Sequence, residues 1–415
     1  MKNIKKIICL VLCMSMLLGV SSLLVACGAK DAKPVEDGVL KLYMPGEYID
    51  EDIFELFEAW YKKETGKDIT VKIDTFDAVE NVQTALEGAR ANYDLICPSD
   101  YMIEYLIKKE LLLKIDKSIV NIETKGLFKD KYIETTRQFD PTLEYSVPYM
   151  YGTLGLVYDY SKTGKHIDSW ESLYGNEFNK SGNDIFKSVK DSIRDAYATA
   201  CLYNARNTTK DLTGAALKAE IQRIFEDTTQ ATLDAAETTL KNTLKNAVWD
   251  VDDVKYLMAA NNTKVAVALM WSCDAGYVMN TYEDEDGVEH DGNRNLWYVV
   301  PKEGGNVYID SFAISKYAKN VEAANYFLKF ICQKDIAVKN SEYAGAISPV
   351  ADAYDELLEY YTEDEDGIFE DTEEGWKEMF IETMFPSDET LNRCGVMKDF
   401  GDGKTRVTRM WGNVQ

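Results

Sequence analysis

The chain has 415 residues and a formal net charge of −25, from 46 Lys and Arg against 71 Asp and Glu. So acidic a surface argues against nucleic acid or anionic lipid headgroups as partners, because it repels both. A hydrophobic content of 46% is ordinary for a globular core, and the length suits two domains or one large one.

Lys2, Lys5 and Lys6 precede an apolar run from Ile7 to Val25, which closes on Leu24-Val25-Ala26-Cys27-Gly28. A positive head, an apolar middle and a small residue before the cut predict a secretory signal over residues 1–26. The run is about long enough to cross a membrane, but no basic stop-transfer cluster follows. Cys27 after Leu-x-Ala resembles a bacterial lipobox. That resemblance implies acylation of Cys27 and an extracytoplasmic protein anchored by several acyl chains. Residues 27–37 then read as a polar tether.

The folded part opens with an alternating strand, Val39–Tyr43. Asp50 to Lys63 places Ile53, Phe54, Phe57, Trp60 and Tyr61 at helical spacing, and Gly66 stops that helix. A strand at Ile69–Ile73, a helix at Val79–Arg90, a strand at Tyr93–Cys97 and a helix from Asp100 follow. Alternating strands and helices predict an open parallel sheet, whose ligands sit beyond the carboxyl ends of its strands. Glu47-Tyr48 and Ser99-Asp100-Tyr101 lie at such ends. Further strands are expected at Gly152–Tyr158, up to Val189, at Val265–Trp271 and at Leu296–Val300. A helix begins near Ser192-Ile193-Arg194-Asp195, residues 208–245 read as helix, and Asn320–Cys332 is amphipathic.

Gly304-Gly305 turns the chain into Val307-Tyr308-Ile309-Asp310. On a strand Tyr308 and Asp310 share a face. An aromatic ring beside a carboxylate holds an organic cation: the ring attracts the ammonium and the carboxylate accepts its hydrogen bonds. A strand with one buried aromatic and one solvated acid is the alternative.

Other chemistries find little support. Five cysteines remain beyond Cys27, an odd number without a CxxC pair, so buried thiols are expected rather than a disulfide framework. Only His166 and His290 are available for a triad or a zinc site, and neither HExxH nor GxSxG occurs. No cofactor is expected. Thr362–Glu373 matches some positions of a calcium loop (Asp364, Asp366, Gly367, Glu373) but begins with Thr, so an acidic surface turn is expected and no metal is assigned. A second acidic run, 283–287, lacks the acidic twelfth residue.

Glu47-Tyr48, YDLICPSDY (93–101), SVPYMYG (146–152), DSIRDAY (191–197), ALMWS (268–272) and PKEGG with YIDSFAI (301–314) occur in one order. The set resembles the substrate-binding lipoproteins of spermidine/putrescine ABC transporters, over about Val39 to Pro349. The resemblance implies an α/β, two-lobed periplasmic-binding-protein fold of type II, crossed by two hinge segments, with the ligand trapped in the cleft. Its lobes would be 38–150 plus 311–347 and 151–310 plus 348–415. It implies a non-enzymatic, monomeric receptor that carries a polyamine to ABC permease subunits. Carried over by position, the cleft comprises Tyr48 with Glu47, then Ser99, Asp100 and Tyr101. Asp195 and Ser192 follow, with Trp271 as a stacking aromatic, Tyr308 where the family commonly has Trp, and Asp310 as the acid gripping an amino group. Pro45, Ala346 and Lys398 depart from the family pattern, which leaves open another organic cation, a sugar or an amino acid as ligand. Paired carboxylates also leave a surface glycoside hydrolase as a rival, and an adhesion or scaffold lipoprotein as another.

Overall fold

The computed structural model describes residues 38–250, 253–280, 282–283, 288–364, 367–370 and 372–415. The signal-like segment, the tether and Cys27 lie outside the described residues, as do most of the second acidic run and Asp366 of the first.

Strand β1 (Val39–Pro45) turns Leu40, Leu42 and Met44 inward by its alternation. Helix α1 (Asp52–Thr65) buries Ile53, Phe54, Phe57 and Tyr61 along one stripe. It ends at Gly66, whose φ of 75° lets its N–H return to the Lys62 carbonyl at 2.8 Å. Strand β2 (Thr70–Phe76) lies parallel to β1. The helix expected over Val79–Arg90 is α-helical only at Glu80–Gln83, then widens to a π turn at Thr84–Gly88. The wide turn lies where Gln83 Nε2 and the Glu87 carboxylate both reach the Tyr105 hydroxyl, at 2.7 and 2.6 Å. Strand β3 (Leu95–Ile96) and helix α2 (Asp100–Lys108) follow.

Strand β4 (Ser146–Asp159) runs 14 residues, all buried, longer than the expected Gly152–Tyr158. After it come β5 (Lys187–Lys190), α3 (Ile193–Thr209), β6 (Ala247–Asp250), β7 (Val267–Trp271), α4 (Ser272–Met279), β8 (Leu296–Val299) and β9 (Gly305–Ser315). The helical stretch expected over 208–245 is two helices, Gly214–Glu226 and Gln230–Thr243. Asp227 parts them, accepting from the Thr229 N–H at 2.9 Å. Helix α5 (Val321–Ile331) lays Phe327 against Phe57 of α1, ring centroids 5.0 Å apart.

The main sheet runs β2-β1-β3-β9-β4-β7-β5-β6. Its two ends repeat one plan. At one end β2, β1 and β3 are parallel, and β9 runs antiparallel to β3. At the other, β6, β5 and β7 are parallel, and β4 runs antiparallel to β7. The long strands β4 and β9 pair with each other through the middle, with a register shift between Asp310 and Ser311 opposite Met150 and Pro148. A proline is tolerated inside a buried strand at such an irregularity, because its missing N–H costs no regular ladder bond. The expected parallel sheet is therefore present twice, joined by antiparallel strands. Two hydrophobic cores result. One gathers Leu40, Leu42, Phe57, Phe312 and Phe327, and the other Leu154, Leu156, Leu269, Trp376 and Phe380.

Candidate functional site

Among the described residues, some enclosed acids are satisfied by backbone donors and some are not. Asp94 accepts from the N–H groups of Lys41, Lys319 and Asn320 at 2.6 to 2.9 Å. Asp140 accepts from Tyr145 and Ser146 N–H and from the Ser146 hydroxyl, at 2.9 to 3.1 Å. Their charges are spread over backbone donors, and their role is to hold the fold. Asp100, Asp195 and Asp310 each have one carboxyl oxygen that is shut from solvent and hydrogen-bonded to nothing. A buried carboxylate oxygen without a donor is costly unless a cation arrives to meet it.

Asp310 stands on β9 at the register shift. Its Oδ2 accepts from the Tyr48 hydroxyl at 2.8 Å, and its Oδ1 is the oxygen without a partner. Burial pushes its pKa up, while the Ser99 and Tyr48 hydroxyls favour the ionised form. The Tyr48 ring is fixed from behind by Tyr149, which packs edge-on at 5.7 Å and donates its hydroxyl to the Tyr48 carbonyl at 2.7 Å. Ser99 takes the cap position of α2 with extended backbone, but its side chain makes no cap bond. Its hydroxyl instead favours the ionised form of Asp310, so the expected cap is positional only.

Tyr308, two residues back on the same face of β9, donates its hydroxyl to Cys273 Sγ at 3.0 Å. Its ring lies 6.3 Å from Trp271, tilted by 59°. Gly152 on β4 makes room for it: a Cβ there would stand 2.3 Å from the Tyr308 hydroxyl and 2.8 Å from Ser272 Oγ. Asp100 begins α2, with Oδ1 accepting from the Tyr101 N–H at 2.6 Å. Burial pushes the Asp100 pKa well up, and the charge of Asp310 adds to the rise. Asp195 lies in the first turn of α3, where the Ser192 side chain caps its N–H at 3.4 Å. Burial lifts the Asp195 pKa to about 6, opposed by Lys190, Ser192 and Arg194.

The structure thus joins Tyr48, Ser99 and Asp310, and through Tyr308 and Cys273 it reaches Trp271. Asp100 neighbours Asp310, and Tyr101 neighbours Arg194. Glu47 is not drawn in: it stands exposed on a turn with φ of 52°. Lys398 is held by the Gln138 carbonyl and lies 4.0 Å from Glu104.

Sequence reasoning missed four contributors. Lys190 closes β5 with its Nζ 3.8 Å above the Trp271 ring. Asp274, three residues after Trp271, lies 3.0 Å from Lys255 and 3.8 Å from Lys190. Arg194 stacks on Tyr101 at 3.6 Å and on Phe400 at 4.1 Å. Cys273 receives the Tyr308 hydroxyl. Lys190 stands at a strand's carboxyl end, the same signal that picked out Ser99 and Asp100. Asp274 follows Trp271 at helical spacing, a pattern legible beforehand. For Arg194 and Cys273 no local signal existed. Among the described residues, no cluster of His, Cys, Asp and Glu could hold a metal ion. In the acidic loop, Thr362 is helical and Asp364 caps that helix with φ of 56°.

Chemically, the arrangement offers the Tyr308 and Trp271 rings, an acid with an open oxygen at Asp310, and the acids Asp195 and Asp274 beside Lys190. It suits a small organic cation.

A family model of the bacterial extracellular solute-binding proteins matches residues 57–367. The chain is 28% identical over 312 residues to a putrescine-binding periplasmic protein, SpuD, of Pseudomonas aeruginosa, covering 74% of this chain and 76% of that one. It is 28% identical over 336 residues to a spermidine/putrescine-binding periplasmic protein of Salmonella typhimurium, covering 78% and 81%. The structure of a spermidine/putrescine ABC transporter substrate-binding protein, PotD, from Streptococcus pneumoniae superposes with a TM-score of 0.64 at 24% identity, covering 91% of this chain and 99% of that one. The fold is the two-lobed, mixed α/β fold of periplasmic binding proteins.

Proposed function

The chain belongs to the bacterial extracellular solute-binding protein family, and we propose that it binds a polyamine of the putrescine/spermidine class between its lobes and delivers it to the permease subunits of an ABC importer. Members of this family are solute receptors rather than enzymes. The observation that carries the ligand reading is Asp310: a half-buried carboxylate whose Oδ2 takes the Tyr48 hydroxyl while its Oδ1, shut from solvent, has no donor, two residues along β9 from Tyr308. An ammonium group supplies the missing donors and the compensating charge, while aromatic walls pack the methylenes. The named polyamine specificities of the relatives support the same ligand class. The lobes are 38–150 plus 311–347 and 151–310 plus 348–415, hinged where β4 and β9 pair. The receptor acts as a monomer outside the cytoplasm, tethered through acylated Cys27.

The melting temperature of the full-length protein in mild detergent tests the reading, with putrescine, cadaverine, spermidine and spermine as ligands and maltose and calcium as controls. A ligand that binds only the folded state stabilises it by about 2.7 kcal/mol at a hundredfold excess over its Kd. At least one amine is expected to raise Tm, and Asp310→Ala is expected to abolish the rise without lowering the unliganded Tm. A response to maltose alone, or to no amine, overturns the polyamine reading.

A further inference from the structure

The cleft already contains a cation of its own. Lys190 lies at the carboxyl end of β5, where the chain leaves the sheet for α3. Its side chain is 10% exposed, and its Nζ stands 3.8 Å from the centre of the Trp271 ring and 3.8 Å from Asp274 Oδ2. Its charge is also the largest influence favouring ionised Asp195. An ammonium over an aromatic face, flanked by two carboxylates, is the environment that a bound amine needs. Lys255, 3.0 Å from the other oxygen of Asp274, fixes that acid in place. Around Asp310 stand Tyr48, Ser99 and Tyr308, with Cys273 behind Tyr308, and none of them is cationic.

We infer that Lys190 is a resident ammonium filling one cation subsite of this cleft, so that the receptor selects a diamine and rejects a triamine. The inference rests on the polyamine reading above. A ligand ammonium enters at Asp310 and a second meets Asp100 or Asp195; a third would crowd Lys190 and Arg194, whose side chains already act on those acids, and like charges repel strongly in so enclosed a place. Lys190 is thus a specificity-determining residue: it sets how many positive charges the ligand brings. Arg194 cannot substitute for it, since its guanidinium is sandwiched between Tyr101 and Phe400.

Calorimetric titration of the full-length protein in detergent, with putrescine and spermidine in parallel, tests this. The wild type is expected to bind putrescine more tightly than spermidine. Lys190→Met keeps the length of the side chain and removes its charge, and should shift the ratio of the two affinities at least about tenfold toward spermidine. Lys190→Arg retains the charge and should preserve the wild-type preference, a result that a purely structural role for the side chain would not give. A wild type that prefers spermidine overturns the inference. So does a Lys190→Met protein that binds amines with an unchanged ratio, and in both cases the polyamine reading stands. If neither amine binds wild type or variants, the polyamine reading and this inference fall together.

Discussion

Asp195 enters the first turn of α3 with Oδ2 unbonded and its carboxyl enclosed, and burial lifts its pKa to about 6. Because the folded value lies above the unfolded one, near 4, the folded state holds this proton more firmly. Its contribution to stability is present below about pH 4 and is lost as pH rises through 6. At pH 7 the unliganded protein therefore bears the cost of an ionised buried acid. Asp195→Asn is expected to stabilise it there by up to about 2–3 kcal/mol. The gain should shrink toward pH 4, as thermal melts across that range will show; a gain independent of pH would contradict the assignment. A cationic ligand prefers the ionised acid, so amine affinity should fall as pH drops below 6, and Asp195→Asn should flatten that fall. At this scale the sequence revealed which residue types were present at the strand ends. It did not reveal which acids were satisfied. Asp94 and Asp100 are six residues apart and look alike on paper. One is wrapped by N–H groups from distant segments and the other keeps an open oxygen.

Strands β4 and β9 place the site. Their pairing carries the register shift at Asp310, and Gly152 on β4 faces Tyr308 on β9 in that register. Gly152→Ala would drive a methyl carbon into the Tyr308 hydroxyl and Ser272. Tyr308 is a rigid, buried ring and cannot turn aside cheaply, so the substitution should cost about 1–3 kcal/mol. It should also weaken amine binding, because Tyr308 must leave Cys273. Paired melts and titrations check both effects; an unperturbed affinity would remove Tyr308 from the binding surface. Periodicity located the strands and helices from Val39 to Lys108, strand β7 and helix α5, since apolar spacing survives in the local sequence, but it gave no expectation for α4, for strand β6 or for the helices Lys334–Ala344 and Lys404–Val414. It fell short for the length of β4, because a strand buried on both faces loses its alternation. It also missed the π turn at Thr84–Gly88, whose partner Tyr105 lies on the next helix.

The two proposed lobes touch through the segment around residues 398–404. The Asp399 N–H donates to Glu104 Oε2 at 3.0 Å, Lys108 lies 3.8 Å from Asp399, Lys398 reaches the Gln138 carbonyl, and Lys404 reaches Gln83. Arg194 ties this segment to the site, donating to the Lys398 carbonyl at 2.6 Å while its guanidinium covers Tyr101. The contacts across the proposed lobes join residues 260 to 321 positions apart, and if those lobes close on a ligand these are the bonds that would latch them. Glu104→Ala removes the acceptor shared by this cluster. Ligand release, followed by stopped-flow exchange, should quicken by about tenfold with little change in the association rate, as is usual when a largely buried pair at an interface is broken. An unchanged release rate would show that closure does not depend on the latch.

The sequence by itself determined the class of protein. Its alternation of strand and helix and its ordered set of short motifs are local features, readable without neighbours. Tertiary structure alone decided which charges meet. It set Lys190 over Trp271, gave Asp310 the Tyr48 hydroxyl, left Glu47 in solvent and occupied Lys398 with Gln138. The physical reason is range. Helix and strand periodicity is written within a few residues, whereas the cost of a buried charge depends on partners that only the closed fold brings within a few ångströms.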